Sequence, residues 1–152
     1  MEKHNYWRAE VRPKAVEMPD LKWDKELATT AERWAAQCPG SHGTGTARSL
    51  QRWPWVGQNI CFASYDQTFT ECINDWASER EKWQYGVGPS PADSVVGHYT
   101  QIIWANTTSI GCAKAQCGGS WSYVLVCNYG PGGNVKGVSS PNAWAHPYEI
   151  KL

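Results

Sequence analysis

The chain is expected to adopt an α+β fold, with residues 1–152 forming one domain fastened by disulfides, and three observations carry that expectation. Apolar residues recur at spacings of three and four over Trp23–Cys38 and again over Phe69–Trp83, the stripe of an amphipathic helix. Residues Ser122–Tyr129 instead alternate strictly, with Tyr123, Leu125, Cys127 and Tyr129 against Val124, Val126 and Asn128, which reads as a strand. Six cysteines, an even number with no Cys-x-x-Cys pair, point to a disulfide framework rather than a zinc or redox motif. At 152 residues and 17.0 kDa the chain is the size of one domain.

Taken in order, Glu2 to Val11 is a short helix, because Pro13 cannot continue it and disfavours helical geometry at Arg12. The second helix carries Trp23, Leu27, Ala31, Trp34, Ala35 and Cys38 and stops at Pro39-Gly40. A turn-rich stretch covers Cys38–Thr46. The third helix has Asp66 or Thr68 as its N-cap and ends before Gly86, with Glu79 on the face of Trp76. A second turn-rich stretch follows, from Gly86 to Gly97. His98–Trp104 alternates like a strand, but seven mostly apolar residues cannot settle their own period. Ile110–Ala115 is the hairpin partner of the final strand through a turn at Gly118-Gly119, and the chain from Gly130 onward is mostly loop.

Composition narrows the function. Lys+Arg and Asp+Glu are fourteen each, giving no clustered positive excess for phosphates, so nucleic acid is set aside. No apolar run is long enough to span a membrane. Ten tryptophans and seven tyrosines beside two phenylalanines, with paired cysteines, fit a secreted, extracellular protein in an oxidising compartment. Met1–Tyr6 has no apolar signal region, so under that reading a leader precedes the mature chain and has been removed. Asn106-Thr107-Thr108 is an N-glycosylation acceptor.

Two long stretches, Gly97-His98-Tyr99-Thr100-Gln101-Ile102-Ile103-Trp104-Ala105-Asn106-Thr107 and Val124-Leu125-Val126-Cys127-Asn128-Tyr129-Gly130-Pro131-Gly132-Gly133-Asn134-Val135, resemble the two signature motifs of the CAP superfamily. That superfamily, also called SCP/TAPS, comprises cysteine-rich secretory proteins, insect antigen 5 and plant pathogenesis-related proteins of class 1. His4-Asn5-x-x-Arg8 and Gly57-Gln58-Asn59-Ile60 match two further elements, the second where the family usually writes Gly-Glu-Asn. The resemblance implies an α-β-α sandwich of about four helices around a short antiparallel sheet. It also places a helix, not a strand, after His98. It further implies disulfides Cys38–Cys117 and Cys112–Cys127, which leaves Cys61 to pair with Cys72.

Carried over by position, the family's cleft tetrad falls on His42, Gln58, Glu79 and His98. Two imidazoles near a carboxylate suit zinc or another divalent cation, here held weakly by His42 and His98. Gln58 keeps an acceptor oxygen but takes no proton, so a two-carboxylate glycosidase mechanism is unsupported and a hydrogen-bonding role for Gln58 is favoured. His4 and His146 read as exposed.

The resemblance implies binding as the activity, with sterol or fatty acid as ligand. The loop preceding the first signature supplies Trp83, Tyr85, Val87, Val95 and Val96 as a sterol flap, or as core against the sheet. The family also places fatty acid between helices. Two other readings stand beside it: an extracellular ligand of a receptor or channel, of the venom or defence type, and a metal-dependent hydrolase using His42, His98 and Glu79. The chain is expected not to be an enzyme, since no Gly-x-Ser-x-Gly elbow exists and the cysteines are tied in disulfides.

Overall fold

The computed structural model describes residues 1–43, 50–53, 55–135 and 146–150. Helix α1 spans Glu2–Ala9, strand β1 Lys22–Trp23 and helix α2 Lys25–Ala35. Strand β2 is Gly57–Ala63, and α3 spans Phe69–Ser78 and tightens into a 3-10 turn over Glu79–Lys82. A small hairpin of β3 (Trp83–Gln84) and β4 (Gly88–Pro89) precedes α4 at Gly97–Ile102, and β5 (Ser109–Gln116) and β6 (Tyr123–Gly130) close the fold. The stretches expected as turns up to Thr46 and as loop beyond Gly130 extend outside the described residues.

The main sheet has the order β1-β5-β6-β2, antiparallel except that the two-residue β1 runs parallel to β5. Its alternating pattern decides what each face meets. Ile60, Val124 and Val126 pack on Ala31 and Ala35 of α2, where Gly111 lets the helix backbone approach so closely that a Cβ would lie 2.1 Å from the Ala28 nitrogen. On the other face Cys61, Leu125, Cys127 and Tyr129 join Ile73 and Trp76 of α3 and Ile102 of α4. The result is the α-β-α sandwich of the α+β class.

Helix ends follow local chemistry. The Asp24 carboxylate caps α2 by accepting from the Glu26 and Leu27 N–H groups, so the helix starts after Trp23, which lies in β1. Of the two candidate caps for α3, Thr68 serves, with Glu71 completing a capping box. Glu71 has its carboxyl held below the usual range by those Thr68 hydrogen bonds. Helix α1 stops at Ala9, two residues short of the expected Val11. The alternation of His98–Trp104 does not make a strand, since α4 occupies Gly97–Ile102.

The cysteine sulfurs pair Cys38 with Cys117, Cys61 with Cys72 and Cys112 with Cys127, joining α2 to the end of β5, β2 to α3, and β5 to β6. No cysteine is free among the described residues.

Candidate functional site

The four tetrad positions form two separate hydrogen-bonded pairs, related through Gln58 and its neighbour Asn59 at the start of β2. On the α2 face, the side-chain oxygen of Gln58 accepts from His42 Nδ1 at 3.2 Å and from the Gly43 N–H at 2.9 Å. The Gln58 amide donates to Asn128 Oδ1 at 3.0 Å, and Asn128 in turn donates to the Leu27 carbonyl of α2. Gln58 is buried, and its side chain is a structural node that fastens the His42 segment to the sheet.

On the opposite side, Glu79 sits where α3 passes into the 3-10 turn and faces the start of α4. Its Oε1 accepts from His98 Nδ1 at 2.6 Å, while Oε2 accepts from the backbone N–H groups of His98 and Tyr99 at 2.9 and 3.0 Å. The His98 ring stacks on Trp76, 6.1 Å between centroids with planes 12° apart. Both histidines direct Nδ1 toward an oxygen that can only accept, so each donates from Nδ1.

A buried polar spine links this site to α1. Asn59, adjacent to Gln58 on the strand and therefore on the other face, donates to the His98 carbonyl at 3.1 Å and to the Tyr129 hydroxyl at 3.2 Å. That hydroxyl directs its own proton to His4 Nε2 at 2.7 Å. His4, expected at the surface, is 0% exposed, because α1 packs against α3 and α4 with the imidazole against the rings of Tyr129 and Trp76. Its Nδ1 finds no partner among the described residues, and burial, with the nearby N-terminal ammonium and Arg8 adding to it, lowers its pKa to about 3. Burial likewise raises the Tyr129 hydroxyl well above its ordinary value. His146 is exposed, in edge contact with Tyr85.

Arg8 is the other fixed point of α1. It is 1% exposed and donates to the carbonyls of Pro19, Ile102, Trp104, Ala105 and Thr107, tying α1 to the end of α4. Burial lowers its guanidinium to about 10, so it remains charged at neutral pH.

The glycines of the second signature were legible only as loop, and the structure gives their reason. A Cβ on Gly130 would lie 2.5 Å from the Trp53 ring, on Gly132 2.4 Å from Trp55, and on Gly133 2.6 Å from Trp104. Asn134, at a φ of 56° that asparagine tolerates, binds Thr100 and the Gly97 carbonyl. The segment is thus the cradle of α4 and so of His98.

The five flap residues divide. Trp83, Tyr85 and Val96 pack in the core with Tyr99 and Tyr148, which is the alternative the sequence left open for them, whereas Val87 and Val95 are 56% and 66% exposed. Asn106 is exposed. Among the described residues no three His, Cys, Asp or Glu side chains gather as a metal site, and no helix is long and apolar enough to cross a membrane.

Cavities open elsewhere among the described residues, three of which bear on function. One of about 500 Å³ lies between α1 and α3, with Lys3 and Tyr6 on one wall and Phe69, Thr70 and Ile73 on the other. A second, of about 330 Å³, lies beside the Cys38–Cys117 disulfide and Trp121. The third, of about 880 Å³, lies between the segments after α1 and α4 and residues 146–149. None of the three is lined by a tetrad residue.

A three-layer sandwich with two histidines braced at one end of its sheet, closed by disulfides, defines a class of small cysteine-rich domains. Residues 1–129 match the model of CAP, the cysteine-rich secretory protein family, and the chain belongs to that family. Among solved structures, Schistosoma mansoni venom allergen-like protein 4 shares the fold with a TM-score of 0.77 at 24% identity, over 99% of this chain and 92% of that one. NaASP2, solved with Zn2+, is 29% identical with a TM-score of 0.76, over 99% of this chain and 83% of that one. Na-ASP-1 is 30% identical with a TM-score of 0.72 over 88% of this chain, which spans only 38% of its length.

Proposed function

We propose that the protein acts outside the cell as a binding protein for a lipid that carries a carboxylate, seated between α1 and α3. The observation that carries this reading is the groove there. Its volume is in the range of small-molecule sites, its walls are Tyr6, Phe69 and Ile73, and Lys3 stands at its rim beside Glu2. A carboxylate near Lys3 with its chain along the aromatic wall satisfies both the charge and the apolar surface. Sterol at the Trp83–Val96 loop is less well supported, because most of that loop's apolar surface packs in the core. The three disulfides fit the extracellular setting.

Titration with cis-parinaric acid tests it. Thr70→Trp, an exposed position on the groove wall, should abolish binding with the far-ultraviolet spectrum unchanged, and Lys3→Glu should weaken it. Unchanged affinity in both variants would overturn the groove. Cholesterol binding lost in Val87→Asp and Val95→Asp, with no fatty-acid binding, would move the ligand to the loop. Binding of neither lipid would favour a receptor or channel as partner.

One observation favours a second role. The Nε2 of a neutral histidine that donates through Nδ1 is a donor of the type zinc takes, as at His98, and NaASP2 was solved with Zn2+. Glu79 already accepts three hydrogen bonds and the His42 and His98 pairs lie on opposite faces of β2, so an ion would have at most two protein nitrogens, with water completing its shell, and would be held weakly. The same occupation of Glu79 leaves it poorly placed as a general base, which favours binding over hydrolysis.

A further inference from the structure

The 880 Å³ cavity is separate from the lipid groove and from the histidine pairs, and its lining has a chemistry of its own. Trp104, Tyr148 and the rings of Pro19, Pro131 and Pro147 contribute to its walls, and its two charged side chains are Glu17 and Glu149. Among the described residues His146 is the one basic side chain in the lining. Arg8 lies behind the wall, its guanidinium turned to backbone carbonyls, among them those of the lining residues Pro19, Trp104 and Ala105, so that Glu17 and Glu149 are the charged groups that the cavity itself presents. Tyr148, 3% exposed, brings a buried hydroxyl with no hydrogen-bond partner among the described residues.

Aromatic faces beside carboxylates attract cations, because the ring quadrupole is negative over its face and the carboxylates add full charges of the same sign. An anion would meet the carboxylates of Glu17 and Glu149. A neutral apolar molecule would leave them unused. The volume matches a small molecule rather than a peptide. We propose that this cavity is a binding site for a small organic cation, an aromatic amine in its ammonium form, with the ring against Trp104 and the ammonium between Glu17 and Glu149.

The test compares three probes of one shape by calorimetric titration: phenethylammonium, 2-phenylethanol and 3-phenylpropionate. Phenethylammonium should bind, the alcohol at least roughly fivefold more weakly and the carboxylate not at all, and added salt should weaken the cation alone. Glu17→Gln and Glu149→Gln, both at exposed positions, should each weaken the cation about two- to fivefold, as expected for partly solvated charge contacts. Trp104→Leu should weaken it about two- to thirtyfold, the span of cation–π contributions. Neither glutamate change should alter cis-parinaric acid binding, so the two sites are judged separately. Equal binding of the alcohol and the ammonium, or unchanged affinity in the Glu17→Gln, Glu149→Gln double variant, would overturn the proposal. So would absence of cation binding at millimolar concentration.

Discussion

His4 makes the stability of this protein depend on pH in a direction that can be worked out. Its imidazole is neutral in the fold, accepting from the Tyr129 hydroxyl, and its pKa falls from 6.5 to about 3 because burial penalises the charged form. A base whose folded pKa is depressed binds more protons when unfolded, so its contribution is complete above the unfolded pKa and is lost as pH falls toward the folded one. At 1.36 kcal/mol per pH unit, the loss amounts to about 2 kcal/mol at about pH 5 and approaches about 5 kcal/mol near pH 3. The perturbation is His4→Phe, which fills similar space and cannot titrate. It strands the Tyr129 proton, a cost of about 1–3 kcal/mol at every pH. Urea unfolding followed by tryptophan fluorescence should find the unmodified protein more stable at about pH 7.5 and the two forms converging near pH 5, because only one of them carries the titration. Stability curves that stay parallel over that interval would refute the account of His4.

Gln58→Glu replaces the donor that meets Asn128 Oδ1 with an acceptor, and Asn128 cannot turn without releasing the Leu27 carbonyl. Unfolding temperature should therefore fall by about 2–12 °C, the equivalent of about 1–3 kcal/mol in a chain of this size, while calorimetry should find zinc bound more tightly through the added charge near His42. Equal zinc affinity would mean that position 58 does not sense the ion. For either form, affinity should drop as pH falls through the histidine range, since protons and metal compete for the same nitrogens. Arg8→Lys keeps the charge but cannot reach five carbonyls from one ammonium, and should cost about 3 kcal/mol or more by denaturant unfolding; a loss under about 1 kcal/mol would mean the fork geometry is dispensable.

Helix α2 was readable in the sequence because it sets a one-sided apolar pattern against a polar face, and the β5–β6 hairpin because β6 alternates β-branched with larger side chains after a Gly118-Gly119 turn, although both of its faces are buried. Strand β2 was not, since its residues Gly57–Ala63 are buried on both faces and its polar members, Gln58 and Asn59, are used inside rather than turned to solvent. The same inversion hid His4: a short helix with charged neighbours reads as a surface element, and only Tyr129, 125 residues away, explains its burial. The period of His98–Trp104 was ambiguous because both sides of α4 are covered, by the sheet and by the cradle of Gly132, Gly133 and Asn134. His42, Gln58, Glu79 and His98 were nameable from motif alone, yet their arrangement as two pairs required the strand geometry between them.

That arrangement has a consequence for comparing relatives. Gln58 and Asn59 are neighbours in the chain, but the pleat sends one to His42 and the other to His98, so the two halves of the site share a backbone and no side-chain hydrogen bond given above. Each half can therefore drift on its own. A lineage that loses His42 keeps every hydrogen bond described for Glu79 and His98, and the exchange of glutamate for glutamine seen at position 58 leaves the opposite face untouched. Loss of either histidine therefore leaves the other half's hydrogen bonds in place, whereas a one-residue insertion in β2 would exchange the faces and destroy both halves in a single event.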